Sequence, residues 1–235
     1  MRGLLILVLA VLLIPSPASA RLEAGLGLSL GWPSGDFQDE VDFAWGGGGR
    51  VGWSFGEVSP AKATVFLDVN YLNYGRERRV EPFSYTIPDV FVDVITDNYL
   101  IHFSPGISVG LRNGPFRPYA EVYGGLTYIA TKTKIENRSL PSVPIAESTN
   151  FNDYTYNFGF GGGLKIRLWQ SKDSVPAVDL REALLDIKLS YVKGGEAEYL
   201  KKGSIERLEN ATIRYGTVRT ATDIVQARIG VYLTF

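Results

Sequence analysis

The sequence predicts an all-β fold, a closed antiparallel up-and-down transmembrane β-barrel of eight strands, and three regularities carry that prediction. Strand-length stretches alternate apolar and polar residues with period two, so each presents one greasy face and one polar face. The connections between them alternate between long and short, as external loops and periplasmic turns do in such barrels. Charges fall inside the strands on the polar face, which a small barrel folds inward while its apolar face meets lipid.

Composition agrees. Glycine at 26, tyrosine at 13, phenylalanine at 12 and one methionine are strand and turn usage with few helix formers. The chain opens with Arg2, an apolar run over 4–14 and the small residues Ala18, Ser19 and Ala20, which reads as a secretory signal over 1–20. That run is too short to cross a bilayer as a helix, which takes roughly 20 residues. Cleavage after Ala20 leaves one barrel domain, 21–235, with 23 basic and 25 acidic side chains, a formal charge of -2. This balance excludes a nucleic-acid partner or a polybasic membrane surface. With no cysteine there are no disulfides, thiolate metal sites or thiol nucleophile.

Strand one, 22–30, places Leu22, Ala24, Leu26, Leu28 and Leu30 opposite Glu23, Gly25, Gly27 and Ser29; a polar loop over 31–41 follows. Strand two, 42–55, carries Trp45, Val51, Trp53 and Phe55 outward and Arg50 on the other face. After a short connection at 56–61, strand three, 62–74, sets Val65, Leu67 and Val69 against Asp68 and Asn70, and a charged segment with two prolines over 75–92 is expected to be a long loop. Strand four, 93–111, alternates Tyr99, Ile101 and Phe103 with Leu100, His102 and Ser104. Pro105 lacks a ladder donor there and predicts a bulge or a local break.

A tight turn with an Asn113-Gly114 pair leads to strand five, 118–130, with Glu121 on its polar face. A polar loop over 131–153 precedes strand six, 154–168, whose polar face holds Lys165 and Arg167. Strand seven, 183–192, holds Asp186 and Lys188. The polar, glycine-punctuated segment 193–221 follows, within which 204–219 is read either as an extra hairpin or as an extension of the flanking strands, so ten strands stay open as the alternative to eight. The last strand, 222–235, runs Val225, Ala227, Ile229, Val231, Leu233 and Phe235 on one face and Gln226, Arg228, Gly230, Tyr232 and Thr234 on the other.

The polar faces assemble an expected lumen charge network of Glu23, Arg50, Asp68, Glu121, Lys165, Arg167, Asp186, Lys188 and Arg228. Both signs are present, so the charges can pair and avoid the cost of isolated buried ions. Trp45, Tyr71, Tyr99, Tyr128, Tyr156 and Tyr191 lie on apolar faces near the long-loop ends, with Trp53, Phe55 and Phe235 near the short-turn ends, as two interfacial belts would.

On these features the sequence resembles the small eight-stranded bacterial outer membrane barrels of the outer membrane protein A and X type. The matching stretches are the leader ending at 18–20, FRPYAEVYGG at 116–125, GFGGG at 159–163 and ARIGVYLTF at 227–235. The resemblance implies residence in the cell outer membrane of a Gram-negative envelope, with outer membrane lipids and lipopolysaccharide around the barrel. It also implies periplasmic chaperones and a barrel assembly machinery that reads Phe235, Leu233 and Val231 as its signal. No peptidoglycan-binding domain is expected after Phe235.

Chemical motifs are sparse. His102, the only histidine, shares a face with Ser104, and a third group such as Glu121 would complete a catalytic constellation of the kind that membrane lipid A deacylases resemble. Strand parity points these residues inward, away from any lipid substrate, so catalysis is the weak alternative and the chain is expected not to be an enzyme. One histidine and no cysteine argue against zinc, the acidic turn at 38–42 lacks calcium-loop spacing, and the glycine clusters lack a phosphate-loop context, so neither metal nor cofactor is expected. The expected work is structural, adhesive or recognitional through the long loops, for an extracellular ligand that composition does not name. A small-solute pore is the alternative, supported by the inward glycines 25, 27, 48, 52, 106, 110, 125, 159, 161 and 163.

Overall fold

The computed structural model describes residues 21–55, 60–84, 87–137, 140–171, 180–207 and 213–235. The leader at 1–20 lies outside the described residues. Ten strands follow in order: β1 (Arg21–Pro33), β2 (Ala44–Phe55), β3 (Ala61–Ser84), β4 (Ile87–Leu111), β5 (Phe116–Asn137), β6 (Leu140–Gln170), β7 (Glu182–Gly194), β8 (Glu196–Arg207), β9 (Ile213–Ala221) and β10 (Ile224–Thr234). One turn of 3-10 helix, Gly35–Phe37, sits between β1 and β2.

All pairings are antiparallel, and eight strands form one ladder in the order β1-β10-β7-β6-β5-β4-β3-β2 that closes on itself. The seam runs from Glu23 opposite Thr234 to Pro33 opposite Ile224. The Phe235 amide extends it, donating to the Leu22 carbonyl at 2.9 Å. Closure removes the sheet edges that a bilayer cannot tolerate. The other two strands, β8 and β9, form a separate hairpin, so the extra hairpin is real and stands outside the ladder.

Side-chain direction follows the period-two pattern. Leu26, Leu28, Leu67, Val122 and Ile229 are 77%, 70%, 48%, 52% and 52% exposed on the outer wall, while Glu23, Asp68 and Glu121 on the alternate positions are buried. The greasy side therefore faces the surroundings rather than a second sheet. Tyr71, Tyr99, Tyr128 and Tyr154 make a continuous row across β3 to β6, with neighbouring ring centroids 5.3, 6.2 and 4.9 Å apart. Such a row suits the boundary between acyl chains and water.

Two expectations about loops are corrected. The segments 75–92 and 131–153 are largely strand: β3 pairs with β4 out to Ser84 opposite Ile87, and β5 pairs with β6 out to Asn137 opposite Leu140. The charges that read as loop, such as those at 76–79 and 132–134, lie on strands that continue past the tyrosine row. The segment 193–221 is likewise mostly strand, in the β8–β9 hairpin.

The extension begins with a register shift between Asn73 and Gly75. The Asn73 side chain accepts the Gly75 amide at 3.2 Å, and the intervening Tyr74 turns inward to only 7% exposure. At Pro105 the ladder to β5 is interrupted between Phe103 and Gly106 while the ladder to β3 continues. The missing donor thus produces a local break without a change of register.

Candidate functional site

The closed ladder stacks its inward residues in tiers. Nearest the short turns, Arg117 forks onto Glu182, Nη1 donating at 2.7 Å and Nη2 at 2.6 Å. Above it Glu23 takes Lys62 on one side and Lys165 at 3.3 Å on the other, and the Lys165 ammonium lies 3.6 Å from the centre of the Tyr232 ring. The Tyr119 hydroxyl donates to Asp186 at 2.8 Å.

The middle tier joins five strands. Arg50 on β2 donates through Nε to Asp68 on β3 at 2.9 Å and through both Nη atoms to Glu121 on β5 at 2.6 and 3.0 Å. Arg228 on β10 forks onto the same Asp68 at 2.6 and 2.8 Å. Lys188 on β7 stands 3.1 Å from Glu121 and 3.6 Å from Asp68. Lys188 and Arg228 are direct cross-strand neighbours, a like-charged pair that would repel without the two carboxylates between them. Bidentate guanidinium contacts fix orientation as well as charge, so this tier braces the wall across its own diameter.

Above the ions lies an uncharged polar tier. Ser29 donates to Asn70 at 2.9 Å, Asn70 to Gln226 at 3.1 Å, and the Gln226 Nε2 to His102 Nδ1 at 3.1 Å. Ser104 donates to Asn157 at 2.9 Å, which donates to Thr127 at 3.1 Å. His102 and Ser104 therefore face the lumen and engage different partners. Glu121 sits in the ionic tier below them with Arg50 and Lys188. The three residues of the catalytic alternative are not brought into a relay, and all three are buried on the side of the wall opposite its exposed apolar face.

The uppermost tier is apolar. Leu72, Leu100 and Ile129 are opposite one another across β3, β4 and β5, and Val192 is opposite Ile224. Phe37 from the β1–β2 connection and Tyr199 from β8 close over them. Phe37, Tyr74 and Tyr199 meet edge to face, with centroids 6.0, 5.5 and 5.9 Å apart, a preferred arrangement of aromatic rings. The hairpin is tied down by Lys201 to Glu40 at 2.7 Å, by the Glu198 amide to Asp153 at 2.9 Å and by the Tyr74 hydroxyl to the Leu200 carbonyl at 3.4 Å.

Of the nine residues expected in the lumen network, eight are buried there, and Arg167 is the exception. Its side chain is half-exposed at the rim, 4.0 Å from Glu182, and donates to Gln170 at 2.7 Å; a register shift between Arg167 and Trp169 marks where the ladder is ending. Lys62, Arg117 and Glu182 join the network although the pattern reading placed them at strand ends or in turns. The apolar tier was also missed. Its signal was present as Leu72, Leu100, Ile129, Val192 and Ile224, all on polar faces and all toward the same end of their strands.

At three of the inward glycines the space is already filled. A Cβ on Gly25 would lie 2.3 Å from the Tyr232 ring, one on Gly159 would lie 2.3 Å from the Tyr123 ring, and one on Gly106 would lie 2.6 Å from both Phe66 and Tyr123. Each of these glycines receives a ring from its direct cross-strand partner: Tyr232 beside Gly25, Tyr123 beside Gly159, and Phe66 and Tyr123 on either side of Gly106. A void bordered by Gly25, Arg50, Arg228 and Tyr232 amounts to about 10 Å³, about one water.

The match to a family model agrees with this architecture. The family model described as outer membrane protein beta-barrel domain matches residues 5–179. No curated protein matches the chain. Among solved structures, Neisserial surface protein A is similar at 10% identity, covering 94% of this chain and 98% of its own, with a TM-score of 0.39. The attachment invasion locus protein of Yersinia pestis, solved with the heparin analogue sucrose octasulfate, is similar at 11% identity, 92% and 97% coverage and a TM-score of 0.36. A major outer membrane protein from Thermus thermophilus stands at 10% identity, 92% and 100% coverage and a TM-score of 0.40. The family match spans most of the chain, and the chain belongs to the outer membrane protein β-barrel domain family, a transmembrane β-barrel of the outer membrane.

Proposed function

We propose that this barrel belongs with the small eight-stranded type and works in surface recognition and adhesion, through the part of the fold that stands outside the membrane. One observation carries this reading: β3 to β6 run well past the tyrosine row as a continuous sheet, braced from inside by the β8–β9 hairpin. Short turns face the periplasm and long connections face outward in such barrels, so this sheet is on the cell surface. A rigid platform presents side chains with little ordering cost on binding.

The rest of the chain serves to hold that platform. Residues 1–20 direct export, the ion tiers brace the wall, the leucine and tyrosine surface contacts lipid and lipopolysaccharide, and Phe235, Leu233 and Val231 present the assembly signal to chaperones and assembly machinery. A lumen filled by paired ions and capped by apolar side chains favours this reading over a pore, and buried His102 and Ser104 disfavour a lipid esterase.

The test is attachment. Cells displaying the full chain are compared with cells displaying a variant whose strand tips, 77–95 and 133–148, are replaced by short turns, using immobilised matrix and epithelial monolayers. The trimmed variant should attach several-fold less at equal surface level; equal attachment by both would overturn the proposal.

A further inference from the structure

Between the inward side of the outer sheet and the β8–β9 hairpin lies an open cavity of about 430 Å³, within the range of small-ligand sites, roughly 300–1,000 Å³. Its floor has a regular pattern. Thr96, Thr133 and Ser148 lie opposite one another on β4, β5 and β6, and two positions along lie Val94, Ile135 and Ala146, also in register. Strands about 4.8 Å apart and rows about 6.8 Å apart thus set a line of hydroxyls beside a line of aliphatic groups. Ile205 and Tyr215 of the hairpin form the facing wall.

The hydroxyl row is organised. The Thr96 and Thr133 oxygens are 3.1 Å apart, and the Asn150 amide donates to Thr133 at 2.7 Å. Among the described residues the Ser148 and Tyr215 hydroxyls meet no protein partner, and Tyr215 is 44% exposed. The one guanidinium lining the cavity, on Arg79, is committed to Glu77 at 3.1 Å and to the Ile205 carbonyl at 3.3 Å. Lys132 beside the cavity is paired with Glu147.

We infer that this cavity binds a short neutral saccharide, one or two rings long. A pyranose has hydroxyls around its edge and C–H groups on its faces. The hydroxyl and amide row suits the edge, and the aliphatic row with Tyr215 suits the faces, since a tyrosine offers an apolar ring with a polar tip. Neutralised cations and nearby carboxylates remove the attraction that a sulfated or phosphorylated ligand would need. An acyl chain would leave the Ser148 and Tyr215 hydroxyls without a partner, which is costly. The inference rests on the surface-recognition reading and names its ligand class.

The experiment uses the refolded full barrel in a detergent without a sugar headgroup. Saturation-transfer NMR is recorded with chitobiose, lactose and maltose as probes and with sucrose octasulfate as a polyanion. At least one neutral disaccharide should receive saturation, and Thr133→Val and Tyr215→Ala should each weaken its binding about tenfold while keeping the heat-modifiable gel mobility of the folded barrel. Binding of the polyanion alone, of no disaccharide, or equal binding by the variants would overturn the inference. The same two variants are scored for attachment: full attachment by variants that have lost saccharide binding leaves the cavity assignment standing and rejects its part in adhesion, whereas loss of both supports the two together.

Discussion

Arg228 and Asp68, 160 positions apart in sequence, meet fork to fork across the lumen at 2.6 and 2.8 Å. The same carboxylate also accepts from Arg50 and lies near Lys188. Two carboxylates, Asp68 and Glu121, thus hold three cations inside a closed wall.

Asp68→Asn keeps the shape and removes the charge, leaving Arg50, Lys188 and Arg228 with Glu121 alone. Breaking a buried pair on one side costs about 3 kcal/mol or more. Urea unfolding of the refolded barrel in lipid vesicles should show that loss, and a change within about 0.5 kcal/mol would mean the tier does not brace the wall.

Gly159 receives the Tyr123 ring, with a Cβ there placed 2.3 Å from it. Gly159→Ala should destabilise by about 1–3 kcal/mol through overpacking. Adding Tyr123→Ala should then cost less than it does in the parent, because the ring and the new methyl compete for one space. Strict additivity in that double-mutant cycle would reject the knob-and-hole account.

The ionic tier by itself should be enough to block the lumen. Wild-type protein should give no unit conductance steps in planar bilayers. Replacing 196–221 by a short flexible linker uncovers the apolar tier yet leaves the Arg50–Asp68–Arg228 brace, so the trimmed protein should stay silent as well. Regular steps from either protein would revive the pore.

Tyr199, on the hairpin outside the membrane wall, is pushed above the usual tyrosine range by burial, against the opposing hydrogen bond with Thr220 and with the Glu40 carboxylate adding to the rise. The neutral phenol is thus the form that docks. Its contribution is complete below the unfolded value of about 10 and is lost as pH climbs through the higher folded value. Hydrogen exchange in β8 and β9 should accelerate above about pH 10, and Tyr199→Phe should abolish that component; acceleration that persists in the variant assigns it elsewhere.

Phe235 closes the seam mainly through its backbone amide, 2.9 Å from the Leu22 carbonyl. Phe235→Ala keeps that bond, so the refolded variant should unfold within about 1 kcal/mol of the parent while its level in the outer membrane of growing cells falls several-fold. An unchanged cellular level would remove Phe235 from the assembly signal.

Much of the wall was legible because the rule behind it is local. Leu26 and Leu28 point outward and Glu23 inward since consecutive residues of a strand face opposite ways, and that alternation needs no knowledge of the neighbouring strand. The extended tips were not legible. Residues 76–79 and 132–134 carry charges that a loop also carries, and once a strand leaves the bilayer nothing forces one face to be apolar. The glycines misled for a related reason: Gly25 and Gly159 look like empty lumen until Tyr232 and Tyr123 arrive from other strands.

What the chain determined on its own is therefore the sidedness of each strand, and with it the lipid-facing wall, the polar interior and the membrane as solvent, because backbone geometry translates period two directly into two faces. Only the tertiary structure decided that Asp68 serves Arg50 and Arg228 together, that Arg167 stays at the rim, and that Phe37, Tyr74 and Tyr199 seal the mouth beneath a hairpin. Those contacts join segments far apart in sequence, and closure of the ladder sets which of them lie at the same height.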